Sequence, residues 1–322
     1  MENNKKSNYE KSLGQLGKVS AIIPVYNSEK IVEETVDKTV SFFEALNLDF
    51  ELILINDGSK DDSWVMVKRK ALLDKRIRAI NLLRNYGQHT ALYAGLRVCK
   101  GDYAVTLDDD LQNPPEEIIH LLKKAMDGYD LVIGEFSRKH HAGYRRVGTI
   151  LIRMINQRIF HQPKDLVLSN FRLIRRDVID RMINYRTSYP YITGLAIMFS
   201  ANSVNVGVEH RQRPVGKSNY NWRKIFELVM RLLFNYSSFP LRLISMVGGL
   251  ISIGSFFLSM FYLIRGLMVG AEVPGWTTVV VMLSFFNSIS LLLVSMLGEY
   301  LIRLLTQFSN DTNYCIREFV NE

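Results

Sequence analysis

The first half of the chain alternates short apolar runs with stretches in which apolar residues recur at helical spacing. Runs that are apolar at nearly every position predict buried strands. These runs are Val19–Val25, Phe50–Ile55, Ile77–Leu83, Tyr103–Leu107 and Leu131–Gly134. Helical spacing predicts helices that begin near Ile31 and at Ser63, and helices over Thr90–Cys99 and Pro115–Met126. The alternation predicts an α/β fold with a doubly wound, mostly parallel sheet.

Polar clusters stand where the predicted strands end. Tyr26 and Asn27 follow the first strand, and Asp57 follows the second. Arg84–Gly87 follows the third strand, and Asp108–Asp110 follows the fourth. Because ligands of doubly wound sheets bind beyond the carboxyl ends of the strands, we expect one crevice to gather these clusters.

The acidic run Asp108, Asp109 and Asp110 suggests a cation site. Adjacent carboxylates repel one another unless a cation offsets their charge. Mg²⁺ and Mn²⁺ take oxygen ligands from one or two carboxylates together with substrate phosphates, and Gln112 can add a carbonyl oxygen. The pattern therefore predicts bound Mg²⁺ or Mn²⁺; the alternative is a solvated acidic turn.

Arginines are frequent between residues 138 and 213, and a guanidinium matches the oxygens of a phosphate. The candidates for phosphate binding are Arg138, Arg145, Arg146, Arg172 and Arg213. Each is alternatively a solvated surface residue. The sequence shows no Ser-His-Asp arrangement, and a phosphate monoester needs no strong general base, because its second pKa is roughly 6.

Two long stretches without a charged residue, Leu243–Ile264 and Val273–Gly298, predict a transmembrane hairpin. Each exceeds the roughly 20 residues that span a bilayer. Lys and Arg flank the pair on both sides, so the positive-inside rule places both flanks in the cytoplasm. A pair of buried core helices is the alternative.

The segment Trp222–Phe234 precedes the predicted hairpin and has an amphipathic pattern. Arg223, Glu227 and Arg231 are spaced four apart, and apolar residues fill most of the other positions. This pattern suits a helix in the membrane interface. An ordinary surface helix is the alternative.

Composition narrows the partners. The chain has 322 residues and a formal net charge of +8, which favours anionic partners such as phosphates or a membrane surface. Zinc-finger, basic-zipper and ribonucleoprotein patterns are absent from the sequence, so we expect no nucleic acid. Two distant cysteines, Cys99 and Cys315, and a polar N-terminal segment without a signal peptide indicate a cytoplasmic globular part.

Four motifs extend the argument: PVYN at Pro24–Asn27, NDGS at Asn56–Ser59, RNYGQHTALYAG at Arg84–Gly95 and LDDDLQNPPEEI at Leu107–Ile118. Together they resemble family 2 of the glycosyltransferases. The nearest likeness is to polyprenyl-phosphate sugar transferases such as dolichol-phosphate mannose synthase, bactoprenol glucosyltransferases and undecaprenyl-phosphate aminoarabinose transferase. The resemblance implies a GT-A fold and an enzyme that moves a sugar, with inversion, from a nucleotide-sugar to a polyprenyl phosphate similar to undecaprenyl phosphate. It favours a UDP-sugar over a GDP-sugar.

The resemblance also implies roles for individual residues. The implied nucleotide-sugar contacts are Pro24, Tyr26, Asn27, Asp57, Asn85, Gln88, Asp108 and Asp109. The implied metal ligands, from the DxD motif and its following Gln, are Asp108, Asp110 and Gln112. The implied catalytic residues are Asp108, Asp110, Arg138, Asp165, Arg172 and Arg213. The implied contacts to phosphate or acceptor are Arg138, Arg145, Arg146, Arg213, Lys217 and Ser218.

Three departures from the family pattern bear on these roles. Ser28 follows PVYN where the family usually has Glu, which affects a ribose contact. Arg138 is shifted by about one residue from the family's Arg. Leu166 takes the place of an acidic residue, with Asp165 one position earlier, and Asn170–Arg172 replaces Gly-Phe-Arg. The changes at Leu166 and at Asn170–Arg172 affect recognition of the donor sugar.

The predicted organisation has five parts. They are a polar segment 1–18, a GT-A domain 19–221, a juxtamembrane amphipathic region 222–240, the hairpin 241–305 and a tail 306–322. We expect an inner-membrane protein whose catalytic domain and termini are cytoplasmic, and which forms a homo-oligomer. The alternatives are a membrane-anchored nucleotide-sugar-binding protein without turnover and a nucleotidyltransferase, although the latter usually has a Gly-rich basic loop where this chain has PVYNSEK.

Overall fold

The computed structural model describes residues 16–136, 152–187, 189–209, 211, 222–237 and 314–322, and single positions between 240 and 304. The chain divides into two compact units, residues 1–226 with 311–322 and residues 227–310. Within the part that the structure describes, no helix combines the length and the apolar character that crossing a bilayer requires. The predicted spans are represented there only by single positions, so the hairpin stays a prediction.

The described residues of the first unit build one eight-stranded sheet with the order β7-β5-β6-β4-β1-β2-β3-β8. The strands are β1 Val19–Val25, β2 Phe50–Asn56, β3 Ile77–Leu82, β4 Tyr103–Thr106, β5 Leu131–Phe136, β6 Arg172–Arg175, β7 Ser203–Val208 and β8 Ile316–Val320. Strands β1 to β4 run parallel to one another. The C-terminal ends of these four strands therefore lie on the same side of the sheet.

Helices cover both faces of this sheet. They are α1 Val32–Ala45, α2 Ser63–Leu73, α3 Gln88–Val98, α4 Ile118–Met126, α5 Arg176–Asn184 and α6 Ile192–Phe199. Alternate residues of β1 point to opposite faces, as a strand requires. Ala21 and Ile23 join the core under α1 and α2, whereas Ile22 packs against Gly95 of α3. Every residue of β1, β2 and β3 is buried.

All five strands predicted from apolar runs are present. Strand β1 has the predicted bounds, and the other four differ from the prediction by one or two residues at the C-terminal end. Helix α3 begins at Gln88 rather than at Thr90, because Gly87 takes a φ of 92° that turns the chain into the helix. The helix predicted over Pro115–Met126 begins with a 3₁₀ turn, Pro115–Glu117, and continues as α4.

Three strands lie outside those predictions. Strand β6 is inserted between β4 and β5 and pairs antiparallel with both, so the sheet is mixed although mainly parallel. Strand β7 pairs parallel with β5 at one edge. Strand β8 pairs antiparallel with β3 at the other edge, within the segment 306–322 that the sequence analysis assigned to a tail. Each is short, and two have Arg at strand positions, so apolar runs do not reveal them.

The amphipathic segment forms a helix, α7, over Trp222–Tyr236. Val229 and Leu232 are buried, and Phe226 is exposed. Glu227 and Arg231 form an ion pair one turn apart on an exposed face. The structure thus confirms the helix, and its place in the membrane interface stays a prediction.

Candidate active site

A crevice opens at the carboxyl ends of β1, β2 and β4, where the sequence analysis expected it. Loops that follow these strands supply most of its walls. The residues that line it include Pro24, Val25, Tyr26, Asp57, Asn85, Gly87, Gln88, Asp108, Asp109, Asp110, Gln112 and Asn170. Parallel strands bring these side chains together although they are far apart in sequence.

Asp57 holds the loop that follows β3. Its carboxylate accepts hydrogen bonds from the backbone N–H groups of Tyr86, at 2.7 Å, and Gly87, at 2.9 Å. Burial raises the pKa of Asp57, and these two hydrogen bonds oppose that rise. Gly58 has a φ of 64°, and a Cβ there would lie 2.4 Å from the carbonyl carbon of Arg84. Asp57 and Gly58 together fix this loop against the end of β2.

Asp109 organises the turn after β1. Its carboxylate accepts from the backbone N–H of Tyr26 at 3.2 Å and from the hydroxyl of Ser28. Burial raises the pKa of Asp109, while the bond from Ser28 acts in the opposite direction. Ser28, which departs from the family pattern, therefore forms part of the support of the acidic run.

Asn27 joins the turn after β1 to the turn after β2 through two hydrogen bonds. Its backbone has a φ of 52°, and its side-chain oxygen accepts from the N–H of Lys60 at 2.9 Å. Its own N–H donates to the hydroxyl of Ser59 at 3.0 Å. Asn27 lines a depression beside the crevice, which it shares with Asp110. It ties the turn after β1 to the turn after β2.

Asp108 faces the crevice in a charged setting. The side-chain amide of Gln88 donates to its carboxylate at 2.6 Å. Burial raises the pKa of Asp108 to about 6, and the negative charges of Asp110 and Asp109 contribute to that rise. The negative charge of this carboxylate is therefore only partly compensated by its surroundings.

Asp110 and Gln112 lie on a tight turn. The N–H of Gln112 donates to the Asp110 carboxylate at 3.1 Å. Between them, Leu111 has a φ of 55°, a conformation that is costly for a residue with a branched side chain. This turn brings both side chains to the crevice that Asp108 also lines.

These three residues suit a hard divalent cation. They offer carboxylate and amide oxygens in one crevice, and a cation would offset the repulsion that raises the pKa of Asp108. Across the described ranges, no three His, Cys, Asp or Glu side chains converge as a metal-holding group. A cation here would therefore take further oxygens from a substrate, as Mg²⁺ commonly does.

Arg172 lies on β6, opposite Thr106 of β4, the strand that leads into the acidic run. It is fully buried, and its guanidinium donates to the side chain of Asn170 at 3.1 Å. Among the residues that the structure describes, its Nε and Nη1 atoms have no hydrogen-bond partner. Burial lowers the pKa of Arg172 to about 10, and Asp108 is among the groups whose charge opposes that change. Arg172 is thus a buried countercharge to Asp108 rather than a residue of the crevice wall.

His89 lies beside Arg172 and was given no role by the sequence analysis. Its ring centroid is 5.0 Å from that of Tyr191, and its buried Nδ1 atom has no hydrogen-bond partner within the described part of the chain. Burial, with a smaller contribution from the charge of Arg172, lowers the pKa of His89 to about 3. The ring is therefore neutral at physiological pH.

The remaining predicted residues fall into two sets. Asp165 is exposed, and it is not among the crevice-lining residues of the described chain. The others lie outside the described residues: Arg138, Arg145, Arg146, Arg213, Lys217 and Ser218. Conversely, Val25 and Asn170 line the crevice without having been predicted as site residues. The replacement of Gly by Asn170 in the family pattern was a signal that could have identified the second.

Comparison with protein families places this site in context. The profile described as "Glycosyl transferase family 2" matches residues 20–183, which cover β1 to β6 and the whole acidic run. The chain belongs to glycosyl transferase family 2. This assignment makes the chain an enzyme, a family 2 glycosyltransferase, as the motifs predicted.

Relatives of this family 2 glycosyltransferase extend the match over nearly its whole length. The undecaprenyl-phosphate 4-deoxy-4-formamido-L-arabinose transferase of Proteus mirabilis is 33% identical and covers 95% of each chain. The enzyme of the same name from Photorhabdus laumondii is 32% identical and covers 97% of each chain. These relatives confirm that the glycosyltransferase belongs to the polyprenyl-phosphate sugar transferase group.

Solved structures support the fold. Glucosyl-3-phosphoglycerate synthase from Mycobacterium tuberculosis, crystallised with Mn²⁺, UDP-glucose and phosphoglyceric acid, gives a TM-score of 0.51 at 19% identity. The match covers 71% of this chain and 81% of that one. The same enzyme with UDP gives 0.52 at 18% identity. The family 2 glycosyltransferase therefore has the predicted GT-A fold in its first unit.

Proposed function

We propose that the protein transfers a sugar, with inversion, from a UDP-sugar to undecaprenyl phosphate or a similar polyprenyl phosphate. The observation that carries the proposal is the crevice in which the acidic run, Asp57 and the loop after β3 meet. Relatives similar over nearly the whole chain are named for undecaprenyl phosphate, which supports the acceptor. The product is a polyprenyl-phosphate sugar.

The nucleotide binds between the turn after β1 and the loop after β3. Pro24 and Tyr26 form one side, and Asn85 and Gly87 form the other. Asp57 contacts the base or orders the loop that does so, since its carboxylate already binds two loop amides. UDP is favoured over GDP because structures of the same fold hold UDP and UDP-glucose.

Asp108, Asp110 and Gln112 would hold Mg²⁺ or Mn²⁺. When bound, such an ion stabilises the negative charge of the departing nucleoside diphosphate. Asp109 keeps the turn after β1 in place through Tyr26 and Ser28. Arg172 supplies a buried positive charge that acts on Asp108.

The acceptor phosphate is the nucleophile. One of its oxygens forms a bond to the anomeric carbon as the bond from that carbon to the diphosphate breaks on the opposite face. The phosphate needs positioning by cations rather than a strong base, because it is largely ionised near neutral pH. We assign that positioning to Arg138, Arg145, Arg146, Arg213, Lys217 and Ser218, and attack from the opposite face inverts the anomeric centre.

The membrane supplies this acceptor. The spans at 243–264 and 273–298 would anchor the enzyme in the inner membrane, and α7 would lie at the interface. The exposed Phe226 and the charged pair of Glu227 and Arg231 on that helix are consistent with such a position.

The decisive experiment incubates the purified protein in detergent with undecaprenyl phosphate, Mg²⁺ and a panel of UDP- and GDP-sugars. The panel includes UDP-glucose and UDP-4-deoxy-4-formamido-L-arabinose. We expect release of nucleoside diphosphate and a mass increase of the lipid with one donor, and loss of both in chelator. UDP binding without transfer to any lipid would instead identify a binding protein, and failure to bind any nucleotide would refute the proposal.

A further inference from the structure

The segment Tyr314–Asn321, here called the strap, follows the second predicted span and belongs to the sheet. Its strand β8 pairs antiparallel with β3, from Ala79 opposite Val320 to Leu82 opposite Ile316. The register shifts between Asn81 and Leu82, at the point where β3 leads into the loop of the crevice. The strap therefore ends beside Leu83–Gly87, here called the donor loop.

The far end of the strap is anchored independently of the crevice. The side-chain amide of Asn321 donates to the carbonyl oxygen of Ile77 at 2.7 Å, and Arg78 Nε donates to the carbonyl oxygen of Asn321 at 3.1 Å. Glu318 accepts from the indole N–H of Trp64 at 3.2 Å and pairs with Lys68. These contacts fix the strap to α2 and β3.

The near end of the strap contacts the donor loop directly. The N–H of Leu83 donates to the carbonyl oxygen of Cys315 at 2.8 Å. The N–H of Cys315 donates to the hydroxyl oxygen of Tyr86 at 3.3 Å. Tyr314 is buried, and the charge of Arg97 on α3 acts on its hydroxyl. The strap thus reaches both the donor loop and the helix that begins at Gln88.

The opposite side of the donor loop is held by the active site. Asp57 binds the N–H groups of Tyr86 and Gly87, and Gln88 binds Asp108. Asn85 and Gly87 lie in the crevice wall. The donor loop is therefore fixed between the base of the crevice and the strap.

We propose that the strap is a positioning element for donor binding, and that Tyr86 is the residue through which it acts. This inference rests on the proposed nucleotide-sugar donor. Without the strap, only the contacts on the crevice side would hold the loop, and the wall that faces the nucleotide would lose its defined position. Affinity for the donor would fall, while the affinity for the lipid and the rate at saturating donor would change little.

The test uses the full-length protein in detergent and compares Tyr86→Phe with Tyr129→Phe. The first change removes the hydroxyl that accepts a hydrogen bond from the strap. Tyr129 precedes the N-terminus of β5, whereas the crevice lies at the C-terminal ends of the strands. We expect Tyr86→Phe to raise the Kd for UDP and the KM for the donor about three- to tenfold, as loss of one hydrogen bond predicts. The KM for the lipid and kcat should stay near the wild-type values, as should all constants of Tyr129→Phe.

A second variant lacks residues 314–322 and is supplied with a synthetic peptide of that sequence. Hydrogen exchange at the amides of Tyr86 and Gly87 should accelerate in the truncated protein and slow again with the peptide, but not with a scrambled peptide. If truncation unfolds the protein, the measurements on Tyr86→Phe decide alone.

Unchanged UDP affinity and unchanged exchange at these amides would overturn the proposal. So would an equal loss of donor and lipid affinity, which marks general damage. UDP binding and hydrogen exchange are measured without sugar transfer. If the wild type transferred no sugar, the proposed function would be refuted, but these two measurements would still test the role of the strap.

Discussion

At the scale of single residues, the three adjacent aspartates have different surroundings. Asp109 turns toward β1 and binds Tyr26 and Ser28. Asp108 binds Gln88 and faces like charge, and Asp110 sits on a strained turn with Gln112. The sequence places all three at a strand end, but this division depends on partners from other loops. The sequence assigned Asp108 and Asp109 alike to the nucleotide-sugar, and both line the crevice, so a nucleotide contact of Asp109 stays a prediction.

These surroundings predict different effects of conservative substitutions. Asp110→Asn removes a charged metal ligand of the proposed site, so we expect transfer to fall at least about 100-fold in a folded protein. Asp109→Asn keeps an acceptor oxygen, so we expect transfer within about tenfold of wild type and a loss of roughly 1 kcal/mol in stability. Initial rates and chemical denaturation measure both. Equal losses of transfer would contradict the separate roles.

His89 gives a prediction about pH. Its pKa is about 3 in the folded protein and about 6.5 when unfolded, so the unfolded chain binds the extra proton as pH falls below about 6.5. Stability is therefore lost with falling pH. Between pH 7 and pH 5, we expect the free energy of unfolding of the wild type to fall by about 2 kcal/mol more than that of His89→Gln. Denaturation at both pH values checks this.

A wild-type slope equal to that of His89→Gln would show that His89 titrates alike in both states, which its buried Nδ1 argues against.

At the scale of elements, the sequence predicted strands β1 to β5 well and strands β6, β7 and β8 not at all. Strands β1, β2 and β3 are buried on both faces, so their apolar runs are nearly unbroken. Strand β6 contains Arg172 and Arg175, and β8 has only exposed or partly buried residues. Their pairing is set by partners distant in sequence, which local pattern does not encode.

The contact between the turn after β2 and the donor loop is testable with two glycines. Gly58 and Gly128 both have positive φ, but a Cβ at Gly58 would meet the backbone of Arg84 and Asn85, whereas one at Gly128 would meet nothing within 4 Å. We expect Gly128→Ala to cost about 1 kcal/mol in stability, as positive φ alone predicts.

Gly58→Ala should have the same cost of a positive φ, and in addition it should displace the donor loop. We expect it to lower UDP affinity at least about tenfold, because Asn85 and Gly87 line the crevice. Isothermal titration with UDP and thermal unfolding of both variants provide the comparison. Equal UDP affinity of the two variants would show that the loop tolerates the extra carbon.

At the scale of the whole molecule, the main feature is the path of the chain on either side of the predicted hairpin. The first unit contains residues 1–226 and 311–322, so both chain segments that flank the predicted hairpin belong to it or adjoin it. A hairpin with two spans would return the chain to the side from which it left. This arrangement is consistent with a strap that rejoins the sheet beside β3.

The two-span hairpin predicts that the strap lies in the cytoplasm. A cysteine introduced in place of Arg317, in a Cys315→Ser background, should be protected from a membrane-impermeant thiol reagent in intact cells. It should react after permeabilisation, because residue 317 is exposed on β8. Reaction in intact cells would exclude a cytoplasmic strap and with it the two-span hairpin.

The pairing of β8 with β3 also has a consequence for biosynthesis. Arg78 and Asn321, which share a hydrogen bond, are 243 residues apart in the chain. During translation β3 therefore emerges long before its edge partner, and its backbone N–H and C=O groups stay available to strands of other molecules. A ribosome that stalls within the predicted hairpin would leave this edge open. The nascent enzyme is thus vulnerable to aggregation through this edge while the predicted hairpin is being made.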